Sequence, residues 1–271
     1  MKILICPGAP RSGTTFFFNA LKKHKLTSQP ISEKEINFFT ESYDPDLFIS
    51  RFKEKDKILL DFSTEYLCSE HAATNIKKFK KLSSADIRIL IFVRNPVERL
   101  ESMINLYSMY GRIKKINFET IDKTRFFQDN LYLRKSVTRF KELFNEIKLI
   151  DFAKINNDQQ NVYNQILNFL DLKSEELPEL KTAEIHRSQS PRNKHLALFA
   201  SRLNVLLRDL GFGHISDYAK NSNIVRAALF KNQSSKYKTI AKEYLKKDIN
   251  SFNEEKEYFE KEFNYPVNWR V

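Results

Sequence analysis

The sequence predicts an α/β fold, a doubly wound parallel sheet with a P-loop core flanked by helices and followed by a mostly helical C-terminal part. Three observations carry this. Apolar, β-rich runs alternate with helical periodicity through the first two thirds of the chain, and that alternation implies parallel strands joined by crossover helices. A glycine-bearing turn joins the first such run directly to a helical pattern. Beyond Pro178 the strand pattern stops and helical periodicity continues. The whole reads as one domain, 1–271, with an α/β core over about 1–172 and the helical part over about 173–271.

Taken in order, strands are predicted over 2–6, 57–62, 86–93 and 146–152, and helices over 14–24, 65–80, 97–110, 130–144 and 158–170. Later helices are predicted over 196–210, closed by Gly211, and over 239–263. With 41% apolar residues and 23 phenylalanines, the chain has ample material for a large core. The formal charge of +12 suits recruitment of polyanions or steering of a charged nucleotide. Lysines interleaved with glutamates near the C-terminus make much of that charge ordinary helix surface, and no nucleic-acid-binding motif is present. No apolar run approaches the ~18 residues of a membrane span, and Met1 is followed closely by the first strand, so the expectation is a cytoplasmic protein. Cys6 and Cys68 are too few for a disulfide framework and read as reduced core thiols, and no metal-ligand spacing is present, so no metal is assigned.

The first motif is Gly8-Ala-Pro-Arg-Ser-Gly13-Thr14-Thr15, between strand and helix. Its glycine spacing is that of G-x-x-x-x-G-K-[ST], in which backbone N–H groups and a helix N-terminus hold an anion. Thr14 stands where the lysine of an ATPase would reach the β and γ phosphates, and the nearest cation is Arg11, inside the loop. An in-loop cation with two hydroxyls suits a shorter anion such as a 5′-phosphosulfate. The second motif is Arg94-Asn-Pro-Val-Glu-Arg99 followed by Ser102. Pro96 fits a first helical turn, so Arg94 lies at a strand's carboxyl end and Ser102 about two turns into the next helix. An arginine there can fork onto a phosphate and a helical hydroxyl can add a hydrogen bond.

Together the two motifs resemble the P-loop sulfotransferases, which use 3′-phosphoadenosine 5′-phosphosulfate (PAPS) as sulfonyl donor and release adenosine 3′,5′-bisphosphate (PAP). The resemblance implies that Arg11, Ser12, Gly13, Thr14 and Thr15 hold the 5′-phosphosulfate, that Arg94 and Ser102 bind the 3′-phosphate, and that no metal is required. The segment 57–67, KILLDFSTEYL, is similar to a block written E-x-[ST]-P-x-Y-[LF] in many relatives, matched by Asp61, Ser63 and Tyr66, with Thr64 in place of proline. Phe62 departs from the heparan-type relatives, which carry a lysine there that helps bind the sulfonyl group, so another cation is needed or Arg11 serves alone. The segment 32–39, SEKEINFF, is similar to their E-x-E-x-H-F-F and makes Glu35 the candidate base, with Glu33 as the poorer match and Asn37 replacing their histidine. His24 and His71 lie in no matching segment and read as surface or capping residues. Arg192, then Arg187, in IHRSQSPRNKHL resembles a basic loop that closes over the 3′-phosphate. Trp269 reads as packing.

What the resemblance implies is sulfonyl transfer from PAPS to an acceptor hydroxyl through in-line displacement, of a carbohydrate by the heparan-type match, with tyrosyl peptides and small alcohols or phenols left open. A P-loop kinase-like phosphotransferase, which would need magnesium, and a non-catalytic PAP- or polyanion-binding protein stay open as alternatives.

Overall fold

The computed structural model describes residues 1–113, 115–180, 189–191, 230–232 and 236–271. Its centre is a five-stranded parallel sheet in the order β2-β3-β1-β4-β5, with β1 at Lys2–Gly8, β2 at Thr27–Ser28, β3 at Ile58–Asp61, β4 at Asp86–Val93 and β5 at Ile147–Asp151. The four longer strands lie where periodicity predicts them. The two-residue edge strand β2 was not foreseen, because so short a run carries no period. From β1 the chain runs to the edge strand β2, returns to insert β3 between β2 and β1, then crosses to the other side of β1 to add β4 and β5 outward. The carboxyl ends of β1 and β4 therefore flank the point where the winding reverses, the place where an open α/β sheet forms its ligand crevice.

The helices are α1 (Thr14–Leu21), α2 (Pro45–Ile49), α3 (Ala72–Ser83), α4 (Pro96–Met109), α5 (Phe118–Lys123), α6 (Arg125–Asp129), α7 (Arg134–Leu143), α8 (Phe152–Asn157) and α9 (Gln159–Phe169), followed by helices Lys236–Lys247 and Ile249–Phe263. Two compact units result, one of Met1–Pro96, Asp129–Leu180 and Asn250–Trp269, the other of Val97–Gln128 with the described residues of 181–249 and 270–271.

The first unit holds the sheet. Leu4, Cys6, Leu60, Phe62, Leu90 and Phe92 project to one face and pack with Phe17 and Phe18 of α1, Ile155 of α8 and Val162, Tyr163 and Ile166 of α9. Phe17 stacks on Phe92 with centroids 5.4 Å apart, and burying each such ring is worth roughly 1.5–3 kcal/mol. Alternate residues Ile3, Ile5, Leu59, Ile87, Ile89 and Ile91 are equally buried on the opposite face. Strands covered on both faces read as continuous apolar runs, as these do. A separate aromatic cluster joins a 3-10 turn at Phe38–Thr40 to α2 and α3: Phe39 contacts Phe38, Phe48, Tyr66 and Phe79 with centroids between 4.9 and 5.7 Å.

Helix α3 begins at Ala72, not at residue 65 as its periodicity suggests. Leu67 N–H donates to Pro7 O at 2.9 Å and Tyr66 N–H to Ser63 O at 3.2 Å, so the stretch 63–69 is held as turns against the end of β1. His71, exposed, stands at the α3 N-cap position. His24 is buried, not on the surface: its Nδ1 accepts from Leu26 N–H at 3.1 Å and so closes the turn after α1. Glu255, buried on the last helix, accepts the Leu133 and Arg134 N–H groups at the start of α7, an N-terminal cap supplied from far along the chain. Trp269 packs on Phe259 with centroids 5.7 Å apart. Cys6 is a core thiol, whereas Cys68 is half-buried and contacts Asp129 O at 3.0 Å.

The second unit packs Tyr107 of α4 against Phe126 of α6 and Phe118 of α5 against Tyr244, whose hydroxyl donates to Asp122. It also pairs strands Gln189–Pro191 and Phe230–Asn232 antiparallel, which corrects the expectation of no strand beyond Pro178. The predicted helix 239–263 is two helices, broken at Asp248, whose N–H turns to Leu245 O. The predicted helix 196–210 lies outside the described residues. Among those described, no helix is long and apolar enough to cross a membrane.

Candidate functional site

The loop from Gly8 to Thr15 leaves β1 at the reversal point. Gly8, Arg11 and Gly13 all have positive φ, 149°, 63° and 91°, so the backbone changes hand repeatedly before α1 begins at Thr14. Such alternation turns successive N–H groups inward on one anion, and the first amides of α1 add the partial positive charge of a helix start. The positive φ at Gly13 favours glycine, and a Cβ there would stand 3.1 Å from Ile155 Cδ1, close enough to displace it by a few tenths of an ångström. Ser12 and Thr14 are buried, and Arg11 and Thr15 are half-buried.

Arg94, at the end of β4, donates from Nη1 to Arg11 O at 2.9 Å and lays its guanidinium 4.3 Å above the Phe152 ring. Ala9 N–H donates to Phe92 O at 3.1 Å, a second tie between loop and strand. The two motifs, eighty residues apart in sequence, are thus one surface. Phe152 lies beside both, its ring under the Arg94 guanidinium and 3.5 Å from where a Gly13 Cβ would stand. Sequence reading placed Phe152 at the end of a strand. Instead it opens α8, because Asp151 caps that helix by accepting Ala153 N–H at 2.9 Å.

Glu35 belongs to the same unit. Its Oε2 accepts from Thr64 Oγ at 3.0 Å and its Oε1 lies 2.7 Å from Lys34 Nζ. Thr64 itself sits against the phosphate loop, its carbonyl 3.4 Å from where a Gly8 Cβ would stand. Threonine in place of proline therefore supplies a hydroxyl that proline lacks, and that hydroxyl fixes the candidate base. Two residues carrying this part of the site were missed. Lys34 carries no signal among alternating charges, yet its side chain is only 16% exposed. The other is Asp61, noted for a motif match but not for its surroundings.

Asp61 is fully buried at the end of β3. Its Oδ1 accepts from Ser63 Oγ at 2.6 Å and its Oδ2 from Tyr66 OH at 2.8 Å. Burial pushes the Asp61 carboxyl up to about 7, against the two hydroxyl donors that pull it down. Burial, and then Asp61 beside it, raises the Tyr66 phenol as well. Burial also pushes the Cys6 thiol up to about 12, so this neighbour is neutral. Phe62 is buried and packs on Phe18 with centroids 5.4 Å apart, so its ring belongs to the core.

The structure brings Arg11, Ser12, Gly13, Thr14, Thr15, Arg94 and Glu35 into one unit. Ser102 is buried about two turns into α4, within the second unit. Arg187 and Arg192 lie outside the described residues. Among the described residues no group of three or more His, Cys, Asp and Glu is arranged to hold a metal ion.

The chain shares its α/β fold with a solved sulfotransferase. A crystal structure of a sulfotransferase from Alicyclobacillus acidocaldarius superposes with a TM-score of 0.57 over 87% of this chain and 98% of that one, at 18% sequence identity. Two further matches are the sulfotransferase domain from the curacin biosynthetic pathway (TM-score 0.44, 16% identity, 64% of this chain and 75% of that one) and mouse sulfotransferase SULT7A1 complexed with PAP (TM-score 0.42, 16% identity, 74% and 63%). At those scores the latter two add nothing to the fold assignment. No family model matches the chain, and no curated protein matches it.

Proposed function

We propose that the protein is a PAPS-dependent sulfotransferase that moves a sulfonyl group to an acceptor hydroxyl, with a carbohydrate as the acceptor class. The observation that carries this reading is the fused anion surface: a phosphate loop with Arg11 in place of the ATPase lysine, hydrogen-bonded through its backbone to Arg94. The residues fit the donor. Positive φ at Arg11 and Gly13 shapes a nest for a small anion, and a second guanidinium stands beside it for another phosphate. The fold shared with a bacterial sulfotransferase supports the same reading.

In this scheme Glu35 takes the proton of the acceptor hydroxyl as the new oxygen–sulfur bond forms. The bond from sulfur to the 5′-phosphate breaks, and its electron pair leaves with PAP. Arg11, the Ser12 to Thr15 amides and hydroxyls, and the start of α1 offset the charge that develops on that phosphate. Arg94, with Ser102 and Arg192 or Arg187, recognises the 3′-phosphate and so separates PAPS from ATP. Lys34 is the cation that replaces the absent lysine at Phe62. A cytoplasmic setting suits the two free cysteines.

The test is calorimetric titration with PAP, ATP and 5′-AMP, with and without magnesium. Metal-independent binding that needs the 3′-phosphate and weakens in Arg94→Ala is the expected result. A preference for magnesium-ATP would replace this reading with a kinase-like one. Tight PAP binding with no Glu35-dependent product from PAPS would leave a PAP-binding protein, the alternative that Phe62 in the core favours.

A further inference from the structure

We propose that Asp61 is a positioning residue for Glu35, the acceptor at the base of a two-armed clamp whose hold on the Glu35 loop depends on Asp61 being ionised. This deepens the sulfotransferase reading and rests on it for the role of Glu35. The clamp itself stands on geometry alone.

One arm runs from Asp61 Oδ1 to Ser63 Oγ, which in turn accepts the N–H of Asn37 at 3.0 Å. The other runs from Asp61 Oδ2 to Tyr66 OH, which accepts the N–H of Phe39 at 3.3 Å. Asn37 and Phe39 are two and four residues beyond Glu35 and open the 3-10 turn that seats its loop in the aromatic cluster. Thr64, between the two arms, binds Glu35 directly. Both backbone donors are thereby satisfied by one buried carboxylate acting through two hydroxyls.

The protonation requirement follows from counting hydrogens. A hydroxyl has one proton to give. In each arm that proton goes to Asp61, which leaves the oxygen lone pairs for the incoming N–H. Ionised Asp61 is acceptor-only and serves both arms with charge-assisted bonds. Once protonated, Asp61 brings its own hydrogen into one of the two short contacts. The hydroxyl there must turn its proton away, and that arm loses the polarisation which holds the loop amide.

The groups facing Asp61 are the Tyr66 phenol on its own segment, the Cys6 thiol from β1, and Glu35 and Lys34 from the clamped loop, of which the Glu35 charge raises and the Lys34 charge lowers the carboxyl. Burial dominates and brings the titration to about 7. The seating of Glu35 thus responds to pH near neutrality.

The experiment is amide hydrogen–deuterium exchange of the full chain from pH 5.5 to 8.5, corrected for intrinsic rates, in wild type, Asp61→Asn and Tyr66→Phe, beside PAP titration of each. Asp61→Asn keeps the shape but substitutes a donor for one acceptor oxygen. The expected result is a loss of protection of about tenfold confined to peptides covering 36–42 in Asp61→Asn, with PAP affinity within a factor of about two of wild type. In wild type the same peptides should lose protection as pH falls through about 7, and in Asp61→Asn this dependence should be absent. Unchanged protection in Asp61→Asn would overturn the proposal. So would a loss spread across the sheet, which would mark a general structural role, and so would unchanged protection of 36–42 in Tyr66→Phe, which cuts one arm alone. Failure of the sulfotransferase reading shows differently, as absent PAP binding or absent Glu35-dependent transfer with the clamp intact.

Discussion

The phosphate loop and the Glu35 loop lie in the same unit and are built in opposite ways. From Gly8 to Thr15 the site is made mainly by backbone: its shape comes from φ values of neighbouring residues, and its charge from amides and a helix start, with Arg11 as the one side-chain cation of the loop. From Lys34 to Thr40 it is made by side chains borrowed from elsewhere, with Ser63, Thr64 and Tyr66 each reaching across more than twenty-five residues of sequence. An anion cradle needs the same geometry whatever the protein around it. A base has to be aimed, and aiming depends on the rest of the fold.

The sharpest break in this comparison comes from Phe62, which belongs to neither mechanism. Phe62→Ala should lower stability by about 3–5 kcal/mol, the cost of an emptied aromatic site in the core, read by urea denaturation. A change of well under 1 kcal/mol would mean that Phe62 faces the site and not the core. Next, Arg11→Ala should reduce turnover by about 10² with the fold unchanged by circular dichroism, since it removes a charge at the leaving phosphate. Turnover close to wild type would assign that charge to the amides and to Lys34. Arg94→Ala should weaken PAP by about tenfold or more and 5′-AMP much less, as loss of a charged hydrogen bond to the 3′-phosphate requires. Equal weakening of both nucleotides would show instead that Arg94 acts by shaping the loop through Arg11 O.

How far the sequence could be read divides along the same line. Strands β1, β3, β4 and β5 and the phosphate loop are legible because each is written in consecutive residues, as an apolar run or a glycine pair. Thr64 against Glu35, or Asp61 beneath Ser63 and Tyr66, leaves no periodic signature, since the partners meet only after β1 and β3 have paired. Periodicity even misled at 65–71, where Tyr66 and Leu67 look helical but are held as turns by Pro7 O and by Asp61. The same blindness ran the last two helices together across Asp248. Among lysines at a helix end His24 reads as a surface or capping residue, and only the fold decides between the two, burying it with its Nδ1 on the Leu26 amide.

The smallest predicted effect tests the side-chain half most finely. Tyr66→Phe deletes one hydroxyl from one arm and should lower stability by about 1 kcal/mol at pH 8, where Asp61 is ionised and needs both donors. Its pH dependence has a definite sign. Asp61 titrates near 7 when folded, well above the roughly 3.9 of an unfolded chain, so between those values the native state holds a proton that the unfolded state has lost. The stability contributed by this proton is complete below about pH 4 and disappears as pH rises through 7. The Tyr66 hydroxyl pulls the Asp61 carboxyl down, so deleting it should move the falling limb of the stability curve to higher pH. The two curves would then converge on the acid side, where the carboxyl is protonated in both proteins. Denaturation midpoints taken across pH 4 to 9 measure this, and parallel curves offset by a constant amount would show that the Tyr66 hydroxyl contributes independently of the Asp61 charge, through the Phe39 N–H bond. Ionisation near neutrality therefore takes stability from the native state while it completes the acceptor that seats Glu35. That opposition is the behaviour expected of a buried carboxylate kept for position, and it has no counterpart in the phosphate loop, whose amides do not titrate.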